Sequence, residues 1–141
     1  MKIKFQKILS DAKIPSFAQS GDAGMDLYSS ESLDIYPGEI KAVSIGVKME
    51  IPEGYVALIW DKSGLALKSG VKTMGGVIDS GYRGEIKVII TNLSKEVLKV
   101  EKGNKIAQML IQKFESPEIE IVEELSNTKR GDGGFGSTGL K

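Results

Sequence analysis

Residues 130–141 carry the strongest chemical signal in this sequence. They read Arg-Gly-Asp-Gly-Gly-Phe-Gly-Ser-Thr-Gly-Leu-Lys, so glycines surround one guanidinium, one aromatic ring and two hydroxyls. Main-chain N–H groups, hydroxyls and a guanidinium suit phosphate oxygens, and an aromatic ring suits the flat face of a base. The pattern predicts a segment that becomes ordered around a nucleotide. The alternative is an ordinary glycine-rich end without a ligand.

A second candidate site lies in segment 75–85, Gly-Gly-Val-Ile-Asp-Ser-Gly-Tyr-Arg-Gly-Glu. The glycines around Asp79 and Tyr82 would let a planar ligand approach the main chain closely, and the segment is expected to form a hairpin. Asp79 would then be a carboxylate at the edge of a pocket, and Tyr82 its aromatic floor. A plain turn that begins with aspartate is the alternative, and it is favoured for this segment taken alone.

Three other segments place single polar side chains where they could contact a ligand. Lys62 and Ser63 begin a short helical segment where an anion could bind, although Asp61 or Ser63 could instead be a helix cap. Asp26 stands between apolar neighbours, so an inward-facing carboxylate needs a partner or a hydrated cation. Gln108 lies in a strongly apolar strand, either as a buried hydrogen-bonding residue or as the solvent-facing member of an alternating pattern.

The composition limits the available chemistry. The 141 residues include no histidine and no cysteine, so acid–base catalysis must use carboxylates, lysine or tyrosine. The 19 basic and 19 acidic residues give zero net charge, which argues against nucleic acid or an anionic membrane as a partner. The first residues do not resemble a signal peptide and no apolar run could span a bilayer, so we expect a soluble, cytoplasmic protein.

The elements that must position these residues are mostly β-strands. Apolar and polar residues alternate with a period of two, and turn-forming residues separate successive runs. The predicted strands are 43–51, 55–60, 85–91, 97–100, 106–114 and 119–122, with one short helix at 63–69. Many short strands separated by glycine and proline favour an all-β sandwich or jelly roll, and the length suits one domain.

Five segments, taken in order, resemble the five motifs of the trimeric deoxyuridine triphosphatase (dUTP pyrophosphatase, or dUTPase) family. They are Ala-Gly-Met-Asp-Leu-Tyr-Ser at 23–29, Asp-Lys-Ser-Gly-Leu-Ala at 61–66, segment 75–85, Gly-Asn-Lys-Ile-Ala-Gln at 103–108, and segment 130–139. The resemblance implies a distorted jelly roll that forms a homotrimer with shared active sites. It assigns residues 1–128 to the nucleotide-hydrolase domain and residues 129–141 to a flexible, glycine-rich tail that closes over the site.

The resemblance also implies hydrolysis of dUTP to dUMP and pyrophosphate with Mg²⁺, which limits uracil incorporation into DNA and supplies dUMP for dTMP synthesis. Asp79 matches the general base for the water that attacks the α-phosphate, and Tyr82 matches the residue beneath the deoxyribose. Ser63 and Gln108 match catalytic phosphate contacts, and Asp26 matches the residue that holds magnesium through water. The other substrate-binding positions are Lys62, Gly64, Gly76, Val77, Ile78, Arg130, Phe135, Gly136, Ser137 and Thr138.

Within that set, main-chain groups of segment 73–78 would pair with uracil. Arg130, Ser137 and Thr138 match contacts to the γ-phosphate, and Phe135 matches an aromatic lid over the base. The chain departs from the family pattern in two places. Lys62 stands where most members have arginine, and Asn-Lys at 104–105 replaces the commoner Asp-Arg pair. A lysine gives phosphate a point charge in place of a planar fork, so we expect altered phosphate affinity and retained activity.

Three other functions compete with this interpretation. A dCTP deaminase shares the jelly roll, but the resemblance does not extend to deaminating residues. A nucleotide-binding regulator, in which dUTP orders the tail and switches a partner, would not require the base Asp79. A purely structural module would require five ordered motifs to arise by chance.

Overall fold

The computed structural model describes residues 1–134, and the chain is built almost entirely of β-strands. The strands are β1 (Lys4–Lys7), β2 (Met25–Tyr28), β3 (Leu33–Ile35), β4 (Ile40–Glu50), β5 (Tyr55–Trp60), β6 (Val71–Met74), β7 (Val77–Ile78), β8 (Glu85–Asn92), β9 (Leu98–Val100) and β10 (Lys105–Lys113). The helix α1 (Ser63–Ser69) lies between β5 and β6. The all-β prediction is confirmed.

The strands form two four-stranded sheets and one two-stranded ribbon. The first sheet has the order β1-β4-β8-β6, the second has the order β2-β10-β5-β7, and β3 pairs with β9. Every one of these pairings is antiparallel. Strands that follow one another in the sequence lie in different sheets. Each strand therefore pairs with strands that are distant in sequence.

One apolar core lies between the two sheets. The central strands of the first sheet bury Val43 and Val88, and those of the second sheet bury Ala57 and Met109. These side chains alternate along each strand with side chains on the outer faces, because successive residues of a strand point to opposite sides. The period of two in the sequence therefore predicted the buried face correctly.

Segment 75–85 is not the expected hairpin. β7 pairs with β5 in the second sheet, whereas β8 pairs with β4 and β6 in the first sheet. Gly75 and Gly76, with φ of 63° and 94°, turn the chain from one sheet to the other. Only glycine adopts such a pair of conformations readily, so the two glycines change sheets instead of joining two paired strands.

The predicted strand at 119–122 is also wrong within the described chain. Ile119 and Ile121 alternate with glutamates, but they are 93% and 96% exposed and belong to no strand. An alternating segment becomes a strand only when its main chain finds a partner edge, and this segment pairs with none of residues 1–134.

Within residues 1–134, no helix combines the length and the apolar character that crossing a membrane requires.

Candidate active site

Asp79 and Tyr82 line one cavity of about 600 Å³ at the edge of the second sheet. The predicted base-binding residues Gly76, Val77 and Ile78 line the same cavity. Its remaining wall is formed by Ala42, Ile59, Met74, Glu85, Ile86, Lys87 and Ile89. The structure therefore brings together the residues of segment 75–85 that the sequence predicted, in a volume that suits a nucleoside.

The wall of this cavity next to β5 requires glycine at position 76. The N–H of Ile59 donates a hydrogen bond to the carbonyl of Gly76 at 2.8 Å. A Cβ at Gly76 would lie 2.9 Å from the carbonyl oxygen of Ile59. The chain then continues into β7, which is an edge strand among the described residues. One side of its main chain is therefore available to a planar ligand with hydrogen-bonding edges.

A tight turn positions Asp79 and Tyr82 relative to each other. The N–H of Tyr82 donates to the carbonyl of Asp79 at 3.1 Å, and the Tyr82 hydroxyl donates to the carbonyl of Glu85 at 2.9 Å. Arg83 braces the turn from outside, because its Nη1 donates to the carbonyl of Ser80 at 2.6 Å. The carboxylate of Asp79 is exposed, so a water molecule can reach it directly.

A second group of predicted residues gathers around Asp26. The Asp26 side chain is only 4% exposed, and the Nζ of Lys62 donates a hydrogen bond to its Oδ1. Lys105, which the sequence analysis did not select, places its Nζ 2.7 Å from Oδ2. The buried carboxylate of Asp26 therefore has two lysine partners.

Gln108 lies beside Asp26 on the face of the second sheet that points away from the core. It is opposite Asp26 on β2 and opposite Trp60 on β5, and its Nε2 donates to the carbonyl of Asp61 at 2.7 Å. A Cβ at position 24 would lie 2.5 Å from the Gln108 Oε1, so Gly24 leaves the space that this side chain occupies. Gln108 is therefore partly buried and hydrogen-bonded, as in the first alternative, and is also the outward-facing member of the alternating strand, as in the second.

The expected helix at 63–69 is confirmed, but neither Asp61 nor Ser63, the alternative caps, is its N-cap residue. Lys62 is the N-cap residue, and its side chain makes no capping hydrogen bond. The carboxylate of Asp61 points instead to Thr73 and accepts hydrogen bonds from its N–H and its hydroxyl. Ser63 is exposed at the start of α1, and Gly64 has open space around it.

Asp26 and Asp61 both have lowered pKa values. Burial opposes ionisation of Asp26, but the ammonium groups of Lys105 and Lys62 beside its two oxygens outweigh it and hold the pKa of Asp26 below its ordinary value. Burial likewise opposes ionisation of Asp61, and hydrogen bonds from Lys72 and Thr73 lower the pKa of Asp61. Both groups are therefore carboxylates at neutral pH and hold their lysines in place.

Asp61 and Lys105 also belong to this region, although neither was predicted as a site residue. Each had one usable signal, because Asp61 directly precedes Lys62 and Lys105 lies in the fourth motif. Neither signal shows which partner a side chain meets.

The two groups of residues do not meet in one chain. Ala42, Met74 and Ile89 of the Asp79 cavity lie in register on the outer face of the first sheet. Asp26 and Gln108 lie on the outer face of the second sheet. Among the described residues, the lining of the Asp79 cavity includes neither of these nor Lys62 nor Ser63.

The described part of the tail folds on itself. Arg130 is exposed, and its Nε donates to the carbonyl of Gly133 at 2.8 Å. The N–H of Gly133 donates a hydrogen bond to the carbonyl of Arg130 at 3.0 Å. The predicted site residues Phe135, Gly136, Ser137 and Thr138 lie outside the described residues.

A hydrated cation fits this chain better than a directly bound one. Residues 1–134 contain no group of three or more acidic, histidine or cysteine side chains that could hold a metal ion. The Asp26 Oδ2 is buried and, despite the nearby Lys105 ammonium, accepts no hydrogen bond of good geometry from the described residues. That oxygen can accept a hydrogen bond from a water on a cation, as magnesium sites commonly require.

Known proteins with similar sequences and structures all belong to one family. The family model described as dUTPase matches residues 10–139. The deoxyuridine 5'-triphosphate nucleotidohydrolase of Clostridioides difficile is 50% identical and covers 98% of both chains. The solved dUTPase of Staphylococcus bacteriophage 80alpha with dUPNHPP has a TM-score of 0.91 at 30% identity and covers 99% of both chains.

A third relative bears on the metal. A structure of a mutant dUTPase from phage phi11 of S. aureus, which shows the coordination of a structural Mg(II) ion, has a TM-score of 0.81 at 27% identity. It covers 88% of this chain and 98% of that chain. From its sequence, fold and matched motifs, this chain belongs to the dUTPase family.

Proposed function

We propose that this dUTPase-family enzyme hydrolyses dUTP to dUMP and pyrophosphate, using Asp79 to activate the attacking water. The observation that carries the proposal is the placement of Asp79 and Tyr82 in one cavity beside the exposed edge of β7. The family match and the name of the C. difficile relative support dUTP as the substrate.

Asp79 supplies the base because the chain has no histidine or cysteine. Its carboxylate accepts a proton from water as the water oxygen bonds to the α-phosphorus. The bond from that phosphorus to the α–β bridging oxygen breaks, and pyrophosphate leaves with the electron pair. A positioned general base contributes about 10²–10⁴-fold to such a step. The rest of the acceleration comes from position and charge.

The walls of the cavity provide the specificity for base and sugar. Main-chain groups of segment 73–78 pair with uracil, and their donor and acceptor pattern rejects cytosine. The close wall at Gly76 leaves no space for the methyl group of thymine. Tyr82 packs beneath the deoxyribose and excludes a 2′-hydroxyl. Such discrimination depends on a rigid site, which the Ile59–Gly76 and Tyr82–Glu85 hydrogen bonds support.

The triphosphate is bound by the second group of residues. Lys62 brings positive charge, and Ser63, Gly64 and Gln108 offer neutral contacts. Asp26 would hold Mg²⁺ through water, and the bound ion would neutralise phosphate charge. Arg130, Ser137 and Thr138 contact the γ-phosphate and Phe135 covers the base, as the tail 129–141 closes over the domain 1–128.

We propose that these parts meet in a homotrimer with shared active sites. The two residue groups lie on different outer faces of one chain, and an assembly of several copies would bring one group of each kind to the same nucleotide. The exposed, alternating Ile119 and Ile121 support this assembly, because they offer apolar side chains and a main chain without a strand partner among the described residues. We further propose that the enzyme works in the cytoplasm, limits uracil in DNA and supplies dUMP for dTMP synthesis.

The test is pyrophosphate release from dUTP, UTP, dCTP and dTTP with Mg²⁺, for wild type and Asp79→Asn. We expect release from dUTP alone, and a loss of roughly thousandfold in Asp79→Asn with retained binding of a non-hydrolysable dUTP analogue. Asp34→Asn is the matched control, because Asp34 is an exposed carboxylate on β3 outside the cavity lining.

Other outcomes assign the competing functions. A wild-type protein that leaves dUTP intact, or consumes UTP equally well, contradicts the proposal. Formation of a uracil nucleotide from dCTP would identify a deaminase. Tight binding of dUTP without pyrophosphate release would identify a regulator.

A further inference from the structure

The ring of Tyr82 folds back over Gly84. A Cβ at Gly84 would lie 2.3 Å from the Tyr82 hydroxyl oxygen, 2.4 Å from Cζ and 2.9 Å from Cε2. Ordinary contact with a Cβ begins at 3.4 Å, so any side chain at position 84 would displace the ring by about 1 Å. Gly84 is not among the glycines with positive φ, so a side chain at this position would act on the structure through its overlap with the ring and not through backbone strain.

The ring is also held by its hydroxyl. That hydroxyl donates to the main-chain carbonyl of Glu85 at 2.9 Å. Glu85 is fixed in turn, because the Ser44 hydroxyl on the neighbouring strand β4 donates to its carboxylate. The Ser44 hydroxyl lies 2.8 Å from the hydroxyl of Ser30, which is 6% exposed. We call Gly84 and the carbonyl of Glu85 the tyrosine seat.

We propose that Gly84 is a specificity-determining residue, which positions the Tyr82 ring so that it excludes ribose. Gly84 acts through Tyr82 and does not itself need to touch the substrate. A ring displaced by about 1 Å no longer occupies the position in the cavity lining from which it excludes a 2′-hydroxyl. The inference deepens the proposed function and rests on it.

The same turn contains a matched control glycine. A Cβ at Gly81 would meet nothing within 4 Å, and Gly81 also has no positive φ. Gly81→Ala therefore adds the same methyl group and removes the same chain flexibility, without contact with Tyr82. Any difference between the two variants reports on the ring position.

The experiment compares kcat/KM for dUTP with kcat/KM for UTP, measured by pyrophosphate release. We expect Gly84→Ala to lower the ratio by roughly tenfold or more, mainly through a gain in UTP hydrolysis relative to dUTP hydrolysis. Gly81→Ala should keep the ratio within about twofold of wild type. An unchanged ratio in Gly84→Ala, or an equal loss with both substrates, overturns the proposal.

A double-mutant cycle tests whether Gly84 acts through the ring. In a Tyr82→Ala background, Gly84→Ala should change the ratio by less than about twofold, because no ring remains to be displaced. Additive effects overturn the proposal.

A second variant keeps the proposal testable if Gly84→Ala does not fold. Tyr82→Phe retains the ring but removes its hydrogen bond to the seat, and it should lower the ratio by about threefold. An unchanged ratio in Tyr82→Phe overturns the proposal that the tyrosine seat positions the ring. A wild-type enzyme that does not prefer dUTP would instead contradict the proposed function, so the two failures are distinguishable.

Discussion

Asp61 accepts two hydrogen bonds from Thr73, one from its main-chain nitrogen at 2.6 Å and one from its hydroxyl at 2.7 Å. The Nζ of Lys72 lies 2.6 Å from the second carboxylate oxygen of Asp61. The carbonyl of Asp61 accepts a hydrogen bond from the Gln108 amide. One residue thereby joins the end of β5 to β6 and β10, and links the turn at Lys62 to the strand that leads into the base-binding segment.

We expect Asp61→Ala to lower the free energy of unfolding by about 3 kcal/mol. The variant removes a charged acceptor and leaves the N–H and the hydroxyl of the buried Thr73 without their partner. Urea denaturation monitored by tryptophan fluorescence and circular dichroism measures the change. Glu50→Gln is the control, because the Lys4–Glu50 ion pair is exposed and should contribute little to stability. Equal losses in both variants would contradict the prediction.

Protonation of Asp26 should make the protein less stable at acid pH. Its folded-state pKa lies below its ordinary value because Lys105 and Lys62 outweigh the effect of burial. A carboxylate with a lowered pKa stabilises the fold above its unfolded pKa of about 4, and this contribution disappears as the pH falls through the folded pKa. Stability should therefore be flat near neutral pH and fall below about pH 4.

The measurement is urea unfolding at a series of pH values for wild type and Asp26→Asn. The variant should be less stable at neutral pH by about 2 kcal/mol, because the lysines lose a buried partner but remain partly exposed. The difference between the two proteins should shrink as the pH falls below about 4. A constant difference would show that Asp26 acts through packing and not through its charge.

We expect Lys62→Arg to retain turnover. An arginine can hydrogen-bond the Asp26 carboxylate as Lys62 does and also presents a fork to phosphate. Steady-state pyrophosphate release should give a kcat within about tenfold of wild type, equivalent to less than about 1.4 kcal/mol in barrier. Lys62→Met, which keeps an unbranched side chain one atom shorter and removes the charge, should raise KM. A larger loss in the arginine variant than in the methionine variant would contradict the assigned role.

Gly76→Ala should weaken both the fold and nucleotide binding. Its φ of 94° disfavours a side chain, and a Cβ would lie 2.9 Å from the Ile59 carbonyl oxygen. We expect a loss of about 2 kcal/mol in stability and roughly tenfold in affinity for a dUTP analogue, measured by calorimetry. Gly54→Ala is the matched control, because Gly54 has a φ of 79° but open space around it. It should cost about 1 kcal/mol and leave affinity unchanged.

Periodicity predicted the central strands but not every pairing. The strands β4, β5, β8 and β10 occur close to the predicted segments, because alternation directly reflects a buried and an exposed face. The alternation at 119–122 is equally clear and forms no strand in the described chain. Alternation shows that a segment could be a strand, whereas a strand also needs a partner edge.

The candidate site could also be predicted only in part from the sequence. The residues near Asp79 were predictable as a group because they follow one another within segment 75–85. The contact between Lys62 and Asp26 joins residues 36 positions apart, and that between Gln108 and Asp61 joins residues 47 positions apart. Such contacts depend on strand order and register, which no local pattern specifies.

The amino-acid sequence alone determined the all-β class, the short helix and the five motifs, because each depends on residue types within a few positions of one another. The tertiary structure alone decided that two lysines hold Asp26, that Asp61 joins three strands, and that Tyr82 rests on Gly84. Antiparallel pairing brings distant segments together at one register, and a shift by one residue would turn every one of these side chains to the opposite face.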